Sequence, residues 1–157
     1  MKKKELNIRF TEFNSLENFD EIEQRLINKA KSAAKKAYAP YSGFHVGASL
    51  LLENGEIFTG SNQENAAYPS GLCAERTVLF AAASQFPDVP VRTMVVTAFT
   101  GKKFVSLPVP PCGACRQVIL ETQNRYKSSI RLIMYADEKT YVMDNAADLL
   151  PLPFEKF

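Results

Sequence analysis

The sequence predicts a layered α/β protein. Two observations carry that expectation. Behind an amphipathic helix, apolar runs and helical stretches follow one another as strand, strand, helix, strand, helix, strand, and an Asn-Gly turn joins the first two strand runs. With 157 residues, 46% hydrophobic and 23% charged, the chain has the make-up of one folded domain over residues 1–157. In order, Leu6–Phe13 alternates apolar and polar, with Leu6, Ile8 and Phe10 on one side, which predicts a short strand. From Ser15 to Tyr38, Phe19, Ile22, Leu26, Ala30, Ala33 and Ala37 recur at helical spacing, and Pro40 stops the helix. Its Lys29, Lys31, Lys35 and Lys36 form a solvated outer face, since no aromatics or arginines interleave with them. Val46–Leu52 and Glu56–Gly60 flank Glu53-Asn54-Gly55 as a hairpin. Cys73–Ser84 is a buried helix ended by Pro87 and Pro90, and Thr93–Phe99 is a buried strand. Gly101–Pro111 is a loop, Cys112–Asn124 a helix and Ile130–Tyr135 a strand, with Tyr141–Met143 a last short strand. The later strands are expected to pair in parallel.

Charge and composition exclude several functions. The formal charge of +2, from 19 Lys+Arg and 17 Asp+Glu, gives no field to hold a polyanion, so no nucleic acid partner is expected. No stretch approaches the roughly eighteen apolar residues of a membrane span, and Met1–Lys4 is followed by Glu5 rather than by an apolar signal core. No membrane partner and a cytoplasmic location are expected. Three cysteines and one histidine do not make a disulfide-stapled scaffold, because an odd number cannot close internally.

The cysteines sit at predicted helix starts: Cys73 opens one helix, and Cys112 and Cys115 open the next as Pro-Cys-Gly-Ala-Cys. Free amides and the positive end of the helix dipole there favour thiolate, the form that binds metal or attacks. Three sulfurs on one Zn²⁺ leave a fourth position open, which is the arrangement of a catalytic rather than a scaffolding ion. Other readings are small buried hydrophobes, a redox pair at Cys112 and Cys115, and a closed zinc site with His45 as fourth ligand. Glu75, two residues after Cys73, favours catalysis, because a carboxylate beside a zinc-bound water can take and pass on its proton. Together with the Pro-Cys-x-x-Cys helix start it matches the zinc deaminase pattern, in which the glutamate is not a ligand.

From about Tyr38 to Phe154 the sequence resembles the small homotetrameric cytidine deaminases. The motifs are Tyr38-Ala39-Pro40-Tyr41-Ser42-Gly43-Phe44-His45-Val46-Gly47-Ala48, Gly60-Ser61-Asn62-Gln63-Glu64-Asn65-Ala66-Ala67-Tyr68, Cys73-Ala74-Glu75-Arg76-Thr77, Pro111-Cys112-Gly113-Ala114-Cys115-Arg116-Gln117 and Asp148-Leu149-Leu150-Pro151. The resemblance implies a central mixed five-stranded sheet sandwiched between helices, an antiparallel hairpin followed by parallel strands. It further implies Zn²⁺ on Cys73, Cys112 and Cys115, with Glu75 as proton shuttle. Asn62 and Glu64 would bind ribose hydroxyls, Phe44 would pack on the pyrimidine, and the backbone of Ala74 would contact the base. Ala66, Tyr68 and Phe154 would reach a neighbouring subunit's site in a homotetramer. The implied reaction is hydrolytic deamination of cytidine and deoxycytidine to uridine and deoxyuridine, with loss of ammonia, in pyrimidine salvage. Arg76, beside Glu75, is assigned a supporting role, donating to a zinc-bound sulfur and drawing charge from it. Residues 1–14 have no counterpart in the family pattern, and Pro110 stands where Ser is frequent. Rival classes are a deaminase-like zinc-binding module without activity, a deaminase of another aminated nucleoside and a dithiol oxidoreductase.

Overall fold

The computed structural model describes residues 1–155. Seven strands form one mixed sheet: β1 (Thr11–Phe13), β2 (His45–Leu52), β3 (Ile57–Ser61), β4 (Val91–Thr100), β5 (Lys103–Phe104), β6 (Arg131–Tyr135) and β7 (Thr140–Met143). Their order is β1-β7-β6-β4-β2-β3, with β5 paired to β4 off that path. Helix α1 (Glu21–Ala34) covers one face, while α2 (Ala74–Gln85) and α3 (Gly113–Tyr126) share the other.

The expected layered α/β class is the one found, but the sheet has two strands more than the five expected. β3, β2, β4, β6 and β7 are the anticipated five; β1 and β5 are the additions. β5 is two residues long and pairs antiparallel with the end of β4 through Phe99 and Phe104, too short for any periodic signal inside what was expected to be a loop. β1 begins at Thr11 rather than Leu6, because β7 has only four residues and the register ends with Thr11 opposite Val142. Leu6, Ile8 and Phe10 therefore stay largely exposed. Among the strands of the described residues, parallel pairing holds for β4 with β6 alone; β7 folds back antiparallel on β6.

Alternation along β2 sets the two cores. Ala48, Leu50 and Leu52 face α2 and α3 with Val78, Leu79, Met94, Ile119 and Leu132, whereas Leu51 faces α1 with Leu26, Ile27, Ala30, Val95 and Ile133. The hairpin forms as expected, with Gly55 at φ +89° and Leu51 opposite Ile57. α1 is shorter than its apolar stripe. Asp20 and Glu23 form a reciprocal capping box that starts it. At the other end the chain leaves the helix at Lys35 so that Tyr38 can exchange backbone hydrogen bonds with Asn62 and Glu64.

One close approach fixes the first turn of α2 against the sheet. A Cβ at Gly60, on β3, would lie 2.8 Å from the Val78 nitrogen and 3.0 Å from the Ala74 carbonyl oxygen. Only glycine lets that turn, which carries Cys73 and Glu75, lie on the strand. No helix among the described residues is long and apolar enough to cross a membrane.

Candidate active site

Cys73 is the N-cap of α2 and Cys112 the N-cap of α3, so two helix N-termini point toward one spot. Cys115 lies one turn into α3 and is fully buried. The three sulfurs all lie within 4.8 Å of one another, with Cys73 Sγ 3.9 Å from Cys112 Sγ and Cys112 Sγ 3.5 Å from Cys115 Sγ. Tetrahedral Zn²⁺ with sulfur at about 2.3 Å needs sulfurs roughly 3.8 Å apart. The donor set therefore fits Zn²⁺ by spacing and by chemistry. His45 is not part of this group; its ring lies edge-on to Phe99 with centroids 6.2 Å apart.

Electrostatics at the cluster favour thiolate at Cys73. Hydrogen bonding with Cys115, followed by the Arg76 guanidinium, holds the Cys73 thiol down to about 5, while the same contact and burial push Cys115 up. A cation bound between the sulfurs would favour the thiolate form of all three. Arg76 Nη2 donates to Cys73 Sγ over 3.5 Å, which is the contact expected of it. Thr77 also secures the turn, its backbone N–H and hydroxyl both donating to the Cys73 carbonyl at 3.0 Å. Glu75 is 4% exposed, and burial pushes its carboxyl above the usual carboxylate range.

A cleft of about 560 Å³ opens beside Cys73, lined by Tyr41, Ser42, Asn62, Glu64, Tyr68 and Arg76 among others. Asn62 and Glu64 follow directly on the end of β3, and both reach across to the 41–46 segment. Asn62 Oδ1 accepts from the Val46 amide at 2.7 Å, and its Nδ2 donates to the Phe44 carbonyl at 2.9 Å. Glu64 accepts from the Tyr41 and Ser42 amides at 2.9 and 3.3 Å and from the Ser42 hydroxyl. Gly43 turns that segment at φ +63°, a conformation glycine adopts without strain. The hydrogen bond from Ser42, reinforced by the Tyr41 amide, holds Glu64 below the usual carboxylate range.

The remaining expected residues are placed as follows. Ala74 is fully buried in the first turn of α2. Phe44 is half-buried at the entry to β2 and is not among the residues lining the cleft. Ala66 is exposed, as are Tyr68 at 76% and Phe154 at 75%. Three participants escaped sequence reasoning. Tyr41 and Ser42 brace Glu64, and Arg116 ties the Pro111 carbonyl, just before Cys112, to the Leu149 carbonyl at 2.8 and 2.9 Å. Tyr41, Ser42 and Arg116 lie inside the quoted motifs, but their partners are distant in sequence.

Three thiols at two helix starts, a buried carboxyl beside them and an adjoining cleft on an α/β sheet are the parts that a zinc-dependent hydrolase requires. Residues 20–129 match the family model described as the cytidine and deoxycytidylate deaminase zinc-binding region. The cytidine deaminase of Sporosarcina psychrophila is 43% identical over 134 residues, covering 85% of this chain and 91% of the relative. That of Halalkalibacterium halodurans is 49% identical over 98 residues, covering 62% of this chain and 70% of the relative. Among solved structures, the cytidine deaminase from Burkholderia pseudomallei superposes with a TM-score of 0.70 at 41% identity, over 83% of this chain and 98% of the other. That from Mycobacterium tuberculosis gives 0.68 at 31% identity, over 87% and 100%. The chain belongs to the cytidine and deoxycytidylate deaminase family.

Proposed function

We propose that this chain hydrolyses cytidine and deoxycytidine to uridine and deoxyuridine, releasing ammonia. The observation that carries the reading is the convergence of three sulfurs with a buried carboxyl two residues beyond the first of them. Cys73, Cys112 and Cys115 would hold the Zn²⁺. Bound there, the ion supplies a water made nucleophilic at neutral pH and a Lewis acid for the charge that develops as C4 is attacked.

The protein's own residues do the rest. Glu75 takes the proton released by the attacking water, delivers it to N3 of the ring, and later assists protonation of the amine that leaves C4. Burial raises its affinity for a proton, which suits it to accept one from the water. Ala74 presents backbone to the base and Phe44 packs against the pyrimidine. Asn62 and Glu64 meet the sugar hydroxyls, and the ionised Glu64 repels a phosphate on the sugar, which favours a free nucleoside. Arg76 draws charge from the Cys73 sulfur, offsetting the surplus of three thiolates on a divalent ion.

The exposure of Ala66, Tyr68 and Phe154 supports a homotetramer in which these side chains complete a neighbouring subunit's site. A role in pyrimidine salvage in the cytoplasm, without nucleic acid or membrane partners, accords with the small formal charge of +2. The test is a spectrophotometric deamination assay over cytidine, deoxycytidine, dCMP, adenosine and blasticidin S, with sedimentation velocity on the same sample. Turnover of the first two substrates by a tetramer is expected. Turnover of dCMP or adenosine in their place overturns the substrate assignment, and an active monomer overturns the shared site.

A further inference from the structure

The sequence predicts that Lys29, Lys31, Lys35 and Lys36 form a solvated outer face on the first helix, and the structure divides them into two pairs. Lys31 and Lys35 turn onto aromatic rings. The Lys31 ammonium lies 4.8 Å from the Phe104 ring centroid and 4.7 Å from that of Tyr135, with Asp137 at 4.0 Å, and Lys35 lies 5.8 Å from Phe104. Lys29 and Lys36 instead border a hollow of about 320 Å³ between the end of α1 and the end of β3, together with Ser32, Thr59 and Ser61. Among the described residues no carboxylate lines it, and neither lysine forms an ion pair, although Lys29 is half-buried. Arg25, one turn before Lys29 on α1, adds a like charge.

The other wall is β3. Phe58 packs with the α2 core and Ile57 with the α1 core, so by alternation Thr59 and Ser61 face α1. β3 is also the outermost strand. The Leu52 amide donates to the Glu56 carbonyl and the Asn62 amide to the Val46 carbonyl, so the even-numbered residues bond to β2 and the amides of Thr59 and Ser61 point to the free edge. The Ser61 hydroxyl accepts from Gln63 Nε2 at 3.1 Å and keeps its own proton to give, whereas the Ser32 hydroxyl is spent on the Asn28 carbonyl at 2.9 Å. The negative end of α1 is near, but the carbonyls of Lys31, Ala33 and Ala34 already accept from the amides of Lys35, Lys36 and Ala37. Two full positive charges and two hydroxyl donors therefore face one hollow with no anion of the protein among them.

We propose that this hollow binds a phosphate dianion, free or as a monoester, which bridges α1 to β3. A dianion balances the two ammonium groups, and its tetrahedral oxygens accept from them and from the Thr59 and Ser61 hydroxyls at once. A halide carries half that charge and has no separate acceptors to offer helix and strand together. The hollow shares no lining residue with the cleft beside Cys73, so its occupancy does not depend on the deaminase reading.

The test is isothermal titration calorimetry of the zinc-loaded protein with inorganic phosphate and with methyl phosphate, at an ionic strength held constant with sodium chloride. Saturable binding with a stoichiometry of about one is expected, complete by about 10 mM, and the thermal midpoint should rise along the same isotherm. Lys29→Gln and Lys36→Gln together should weaken binding by about tenfold or more, the scale of a lost hydrogen bond to a charged group. Thr59→Val should weaken it by a smaller factor. Lys103→Gln, at an exposed lysine on β5 outside the hollow, should bind as the native chain does. Thermal midpoints without phosphate establish that each variant is folded. Tighter binding of phosphate assigns the site to the free ion, and tighter binding of methyl phosphate assigns it to a monoester. The proposal is overturned if neither probe binds saturably, or if binding survives the loss of both lysines. An equal loss in Lys103→Gln also overturns it, since that would report net charge instead of a site.

Discussion

Gly60→Ala is the perturbation whose effect can be worked most fully from the packing. The added Cβ would stand 2.8 Å from the Val78 nitrogen and 3.0 Å from the Ala74 carbonyl oxygen, where ordinary contacts are 3.4–4 Å. Both opposing atoms are backbone, so no rotamer relieves the clash, and the first turn of α2 has to retreat by about 0.5 Å. Overpacking of this kind costs about 1–3 kcal/mol, which for a chain of 157 residues lowers the thermal midpoint by roughly 2–10 °C. The retreat also has a chemical consequence. Cys73 and Glu75 ride on α2, whereas Cys112 and Cys115 ride on α3, so the two halves of the site move apart. A 1 Å misplacement can cost about a hundredfold in rate, and half of that about tenfold. Gly113→Ala is the matched control, because a Cβ there meets nothing within 4 Å at the first position of α3; it should be neutral or slightly stabilising. Differential scanning calorimetry and cytidine kinetics on both variants make the comparison. A Gly60→Ala protein with native midpoint and native kcat/KM would refute the claim that this close approach positions the site.

Glu75→Gln keeps the volume of the buried side chain but cannot carry the proton; kcat should fall by about 10²–10⁴ with zinc content unchanged, and near-native turnover would mean that another group moves the proton. Arg76→Gln removes the contact to Cys73 Sγ; zinc retention against a competing chelator should weaken by about tenfold or turnover should drop, and native values of both would remove the supporting role. Deleting residues 1–13 strips β1 from the β7 edge, with the Glu12–Lys139 ion pair and the Phe10–Tyr141 ring contact. It should cost about 1–2 kcal/mol and raise aggregation on heating while the turnover of the folded protein is kept. Unchanged calorimetry and light scattering would show that the segment contributes nothing.

Much of the fold was legible because its signals are local. The Asn54-Gly55 turn fixed the hairpin, and Cys73 and Cys112 stand at helix starts in the structure as they do in the pattern. What escaped depends on partners far away in sequence. The apolar stripe of α1 runs on to Ala37, yet the helix ends at Ala34, because pairing of Tyr38 with Asn62 and Glu64 outweighs one more helical turn. Leu6–Phe10 alternates like a strand but has no strand to pair with, as β7 is too short. That the three sulfurs lie together was legible in the Cys-x-x-Cys spacing and the helix starts, whereas the choice among the readings of that cluster came from the family resemblance. The bracing of Glu64 by Ser42 was not legible, since 22 residues separate them and a serine before glycine commonly marks only a turn.

The most direct test of the account measures metal and turnover on one preparation through a cycle of chelation and zinc return. About one Zn²⁺ per chain is expected, with uridine and ammonia released in equal amounts from cytidine, activity lost with the metal and restored with it. Full zinc without turnover would leave a zinc-binding protein in place of an enzyme. Turnover that persists after the zinc is gone would contradict the assignment of Cys73, Cys112 and Cys115 as the catalytic metal site.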